Sequence, residues 1–300
     1  MLIQRYFKGL KSYFRYFIFG STLFFVAITI KENWQEIAEV QLTGLSWIYL
    51  TLALGMTLLA HVWSGWVWHW ILIVFDHPLG GWWGVRVYLK TNIVKYLPGN
   101  VWHFYGRVRA IQSTGASLGK ATASVALEPL LMAAAALTLA SISTWYFGAI
   151  RLILLVIVLI SVHPFILNPI LRKLSQLKAN AQDSQIAASV VYLNRYPLKP
   201  FLGELAFIML RCLGFILVVF ALQPISPAQV FTLVGAFSIA WLLGLIVPGA
   251  PGGIGVFEAT AITLLNGQLA TGTILSSIAA YRLISTLAEL GGAGLVYLFE

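Results

Sequence analysis

"VPGAPGGIGVFEA", Val247 to Ala259, lies within the most apolar part of the chain. Two prolines and four glycines interrupt any helix there, and a carboxylate follows at Glu258. The apolar run after the break, Ile254 to Leu265, rises only about 18 Å as a helix, against a hydrocarbon core of about 30 Å. It cannot cross a bilayer alone. The segment therefore reads as the tip of a re-entrant hairpin: a helix enters, breaks, and a half-helix leaves by the side it came from. Irregular backbone at that depth is tolerated only where protein or a water-filled cavity satisfies it, so the tip should form a cavity wall.

The composition demands a membrane. Hydrophobic residues make up 59% of the 300 residues and charged ones 10%, which excludes an ordinary soluble domain. The net charge of +9 is collected at the ends of apolar runs, so it reports topology rather than nucleic-acid binding. Cys212, the single cysteine, lies in an apolar run and excludes an internal disulfide.

Arg5, Lys8, Lys11 and Arg15 precede an apolar run from Tyr16 to Ile30 with no small-residue cleavage pattern after it. That predicts a retained anchor and a cytoplasmic N-terminus. Residues 1–45 form this anchor and an external segment within a single membrane domain, 1–300. Further apolar segments are expected at 46–75, 118–147, 149–162, 201–222, 227–247 and 269–299, which makes about six spanning helices in an all-α polytopic membrane protein. Residues 148–200 hold a connecting helix and a cytoplasmic loop; "NPILRKLSQLK" in it has the spacing of a surface-lying helix.

A second break occurs in "KTNIVKYLPGNVWHFYGRV". Pro98-Gly99 and Pro248-Gly249 are 150 residues apart, and each pair is followed by a short charged segment and then a long apolar helix. The charges are Arg107 then Glu128 in the first case, Glu258 then Arg282 in the second. Basic residues surround the first break (Arg86, Lys90, Lys95, Arg109, Lys120) and are missing around the second. The expectation is two repeats of opposite topology, 46–147 and 201–300, each with one re-entrant hairpin, meeting near the midplane.

"LPGNVWHFYGR", "ALEPLLMAAAAL", "VPGAPGGIGVFEA" and "YRLIS" resemble the signature blocks of the lysylphosphatidylglycerol synthase transmembrane-region, or flippase-like, family. That family contains the membrane half of the bacterial multiple peptide resistance factor. The resemblance runs from about Phe14 to the C-terminus and is most specific at Pro251 to Glu258. It implies handling of amphipathic lipids in a bacterial inner membrane, here without the soluble synthase domain. Many members carry Arg-x-Gly-Glu after the first proline; Asn100, Trp102 and His103 stand in those places, which removes an acidic role there.

The candidate substrate path comprises Glu128, Glu258, Arg282, Arg107, Arg211, His103 and Asn100. Its hairpin loops are Pro98, Gly99, Pro248, Gly249, Pro251, Gly252, Gly253 and Gly255. An ionisable side chain in a spanning helix costs roughly 2.5–3.5 kcal/mol on insertion scales, so such groups face a cavity or a partner. Half-helix N-termini and a glycine loop suit a phosphate. Glu128 and Arg282, in comparable places of the two repeats, are expected to pair or to flank the path with Glu258 and Arg107. Glu204, seven residues before Arg211, reads as a helix-packing contact. Trp63, Trp66, Trp68 and Trp70 read as an interfacial belt, and His61 and His69 as hydrogen-bonded rather than metal-ligating.

No P-loop, zinc signature or nucleophile, histidine and carboxylate set is present, and the long polar loop offers only Asp183. No catalytic residue, cofactor or metal is expected. The reading is a lipid transporter, flippase or scramblase-like, for a phosphate-bearing lipid, acting as a homo-oligomer or beside a partner enzyme. The alternative is a membrane enzyme or partner subunit in lipid modification or lipid-linked glycosyl transfer.

Overall fold

A computed structural model of the chain describes residues 31, 34, 35, 42–96, 101–143, 150–179, 192–247 and 251–298. The expected anchor at 16–30 lies outside them, as do Pro98, Gly99, Asn100, Pro248 and Gly249. The described residues form helices joined by turns and short loops, without a strand; one isolated bridge, Asn266 to Leu269, shapes a turn.

In chain order the helices are α1 (Gly44–Val74), α2 (Gly81–Asn92), α3 (Trp102–Gln112), α4 (Leu118–Ser143), α5 (Ile150–Ser161), α6 (Pro164–Ala179), α7 (Leu198–Leu222), α8 (Pro227–Ile246), α9 (Val256–Leu265) and α10 (Thr271–Leu298). Two 3-10 turns, Ile93–Tyr96 and Pro251–Gly253, mark the breaks. Start signals are local: Thr43 caps α1 in a reciprocal box with Ser46, and Ser226 caps α8 with Gln229 while Pro227 occupies the first turn.

Among the described residues four helices are long and apolar enough to cross a membrane: α1, α4, α7 and α8. A fifth crossing exists if Leu152–Ser161 and Pro164–Lys173, bent by 51°, form one span. The segment expected to cross at 149–162 is too short alone, at 12 residues, because His163-Pro164 ends it. The expected surface helix after it packs Leu167 and Leu171 inward, against α4, and Asn168 pins the returning strand of chain by exchanging two hydrogen bonds with the Leu193 backbone, 3.1 and 2.6 Å. The 28-residue α10 is long enough but diluted by glycine, serine, threonine, Arg282 and Glu289.

α1 and α7 form the central pair. Small residues let them approach: a Cβ on Gly214 would stand 2.7 Å from Thr57 Oγ1, and Trp63 Nε1 donates to Gly203 O at 2.8 Å. α10 packs on α1 as α4 packs on α7, and α2 packs on α10 as α8 packs on α4. The two 3-10 turns touch each other. The tryptophans of α1 are not a belt: Trp68 is wholly buried and stacked on Trp83 at 5.8 Å, because α2 folds back over that end of α1.

Candidate functional site

Where the two breaks meet, α1, α2, α3, α4, α7, α8 and α10 enclose a cavity of about 150 Å³. That is roughly ten times what one water needs. Of the expected path residues, Glu128, Arg282, Arg107, Arg211 and His103 line it, together with Gly252 and Gly253. Glu258 reaches it only through Arg282.

The expected pairing of Glu128 with Arg282 does not form. Each finds its partner within its own half, because the short helix after each break runs beside the long helix that follows. Arg107 Nη1 donates to Glu128 Oε2 at 2.5 Å, its Nε to Thr91 Oγ1 at 3.3 Å, and its guanidinium lies 3.8 Å from the Tyr88 ring centre. Arg282 Nε donates to Glu258 Oε1, while its Nη1 and Nη2 donate to the carbonyls of Gly252 and Gly253 at 2.9 and 3.0 Å.

The glycine loop also differs from expectation. Gly252, Gly253 and Gly255 take φ of 60°, 73° and 88°, so the turn does require glycine. A Cβ on Gly253 would lie 3.1 Å from Gly244 Cα, where α8 presses on the loop. The N-terminus of α9, however, is already capped: Gly255 N–H donates to Glu258 Oε2 at 2.6 Å. Glu258 thus takes the place expected for a phosphate, and the loop turns two carbonyls, not amides, toward Arg282.

A third cluster went unread in the sequence. Lys95 Nζ donates to Glu289 Oε1 at 2.5 Å, and His61 Nε2 lies 3.3 Å from the same oxygen. Arg211 Nη1 lies 3.2 Å from that His61 nitrogen. One imidazole nitrogen cannot accept from Arg211 and donate to Glu289 in the same tautomer, so one contact is always unmet. Arg211 is 7% exposed, its Nε has no hydrogen-bond partner, and among the described residues it makes no carboxylate ion pair. Tyr281 holds its backbone carbonyl at 3.1 Å and offers its ring to the guanidinium at 5.2 Å. Glu289, an ionisable residue inside an apolar helix, carried the same signal as Glu128 and could have been found by it.

Lys95, Arg107, Arg211 and Arg282 thus face Glu128, Glu289 and the Glu258 that Arg282 holds. One positive charge is in excess, and Arg211 carries it. Among the described residues no three His, Cys, Asp or Glu side chains converge as a metal site would need.

A family model described as "Lysylphosphatidylglycerol synthase TM region" matches residues 14–290. None of the curated proteins compared with the chain matches it.

Proposed function

This chain belongs to the lysylphosphatidylglycerol synthase TM region family, membrane proteins related to lipid modification or transport, and we propose that it moves a phosphate-bearing lipid across the bilayer without chemically altering it. The observation that carries the reading is Arg211. A guanidinium that is buried, lines a cavity and, among the described residues, makes no ion pair with a carboxylate is an anion site awaiting its anion. A phosphate there would let His61 serve Glu289 alone, so ligand binding removes the conflict over one nitrogen. Lys95 and Arg282 add two further cations to the same wall.

The pairing of elements supports a pair of inverted repeats as the moving parts. His61 and Arg211 are separated by 150 residues, the same interval as the two Pro-Gly breaks, so equivalent positions on α1 and α7 meet face to face. Such a contact is expected on an axis relating two repeats, with the shared site beside it. In this reading the first hairpin opens toward the cytoplasm and the second away from it.

The test is reconstitution of the purified full chain into liposomes carrying trace fluorescent phosphatidylglycerol, a fluorescent polyprenyl phosphate or a fluorescent cationic lipid, with a membrane-impermeant quencher outside. Faster quenching of the phosphate-bearing probes than in protein-free vesicles, slowed at least tenfold by Arg211→Gln, is expected. Movement of the cationic probe alone, or full activity of Arg211→Gln, overturns the reading; a new lipid species in the extracted membrane would reassign the chain to lipid modification.

A further inference from the structure

Glu204 lies on α7 behind the cavity wall and is wholly buried, and among the described residues neither of its carboxylate oxygens finds a hydrogen-bond donor. The sequence reads it as a packing contact, but a packing contact would supply a donor. The charged and titratable groups acting on it are Glu128 of α4, Arg107 of α3 and Tyr88 of α2. Its closest neighbour, α1, carries Tyr49, His61 and His69 as titratable groups, and His61 belongs to the Glu289 cluster. On α7 itself the next charge inward is Arg211, two turns away.

Two carboxyl groups therefore share one guanidinium. Arg107 has a single positive charge, and it is spent on Glu128 Oε2. Glu128 Oε1 is buried, and besides Arg107 the Tyr88 hydroxyl is the donor that acts on this carboxylate. An ionised carboxylate sealed from water with no donor is the costliest state this triad could adopt, and retaining a proton on Glu204 removes it.

We propose that Glu204 and Glu128 form a proton-binding site, which holds one proton while the cavity is empty and two while an anionic head group occupies Arg107. The inference rests on the cavity taking a phosphate-bearing lipid. Arg107 and Glu128 line that cavity together with Arg211, so a phosphate drawn in by Arg211 also meets the Arg107 guanidinium and competes with Glu128 for it. When the phosphate wins, a hydronium in the cavity gives its proton to the Glu128 carboxylate and becomes water. Arg107 then balances the phosphate, and both carboxyl groups are neutral acids. One proton enters with one negative charge, and the buried site is neutral in either state. Lipid movement through it is thereby linked to the proton gradient.

Infrared spectra of the purified full chain in detergent test the resident proton. The empty protein near neutral pH should show the C=O stretch of a buried carboxylic acid that shifts on ¹³C-glutamate labelling and disappears in Glu204→Gln; its absence from the labelled wild type overturns the proposal. Calorimetric titration with short-chain phosphatidylglycerol, a phosphodiester of fixed single charge, in two buffers of different ionisation enthalpy, tests the linkage. Wild type should take up about one proton per lipid bound, Glu204→Gln should still do so, and Glu128→Gln should not. Should Glu128→Gln not fold, growth of a second acid band in the labelled wild type on adding lipid makes the same point. Binding without proton uptake overturns the linkage. Binding with uptake but no movement of lipid between leaflets overturns the transport reading and leaves the proton site standing, whereas no binding at all removes the linkage together with the phosphate reading.

Discussion

The ion pair of the first half, Arg107 with Glu128, and that of the second, Glu258 with Arg282, are built alike and embedded differently. Each joins the short helix after a break to the long helix that follows, with the signs exchanged. Both side chains of the first pair are 2% exposed, while Arg282 and Glu258 are 25% and 12% exposed. Arg107 lies flat on Tyr88 and finds a threonine hydroxyl; Arg282 spends its remaining donors on loop carbonyls. The same device serves two purposes. In the first half it neutralises charge inside a dry wall, and in the second it ties a positive-φ loop to a spanning helix.

That difference should appear as a difference in cost. Glu128→Gln leaves Arg107 buried without a counter-charge and should destabilise the detergent-solubilised protein by about 3–5 kcal/mol, read from chemical unfolding. The exchange of signs, Arg107→Glu with Glu128→Arg, should recover part of the loss. A cost below about 1 kcal/mol would mean that water reaches the first pair, and the contrast would collapse.

Gly253→Val should come next, at about 1–3 kcal/mol for the positive φ and more for the clash with Gly244. Gly267→Val separates the two causes, since Gly267 has φ of 76° and nothing within 4 Å of its missing Cβ. Equal losses at both glycines would show that α8 does not press on the loop.

Glu258→Gln should cost less than Glu128→Gln, about 1–3 kcal/mol, because Arg282 keeps two carbonyl partners and partial access to water. Its signature is local: amide exchange at 252–256 should rise while α4 and α7 stay protected. Uniform loosening would place the second pair in the same class as the first.

The smallest effect concerns topology alone. Single cysteines at the exposed positions Ser113 and Gln268, in a Cys212→Ala background, should leave stability near that of the background and label from opposite faces. Labelling from one face would make the halves parallel, and the exchanged signs would lose their structural meaning.

Much of the site was legible because membrane insertion penalises a charge wherever it stands. Glu128, Arg107, Arg211 and Arg282 were found that way, and their cavity-lining positions follow from the same cost. The partners were not legible. Glu128 and Arg282 occupy comparable places in their halves, but which side chain each meets depends on how α3 lies along α4 and α9 along α10. Glu289 was detectable and overlooked; Lys95 was read as a topology marker, although it is held 2.5 Å from Glu289. The role of His61 needed α7 beside α1.

From the sequence alone came the properties that one segment carries by itself. Hydropathy decides that the chain enters a bilayer, and Gly252, Gly253 and Gly255 decide that the second break turns through positive φ. Each is a local free energy of insertion or of backbone torsion. Only the tertiary structure decided that, among the described residues, Arg211 makes no carboxylate ion pair and Glu204 has no donor. Those outcomes join His61 to Arg211 across 150 residues and Lys95 to Glu289 across 194. Their partners are chosen by helix packing, which small residues at α1 and α7 permit and which no single segment encodes.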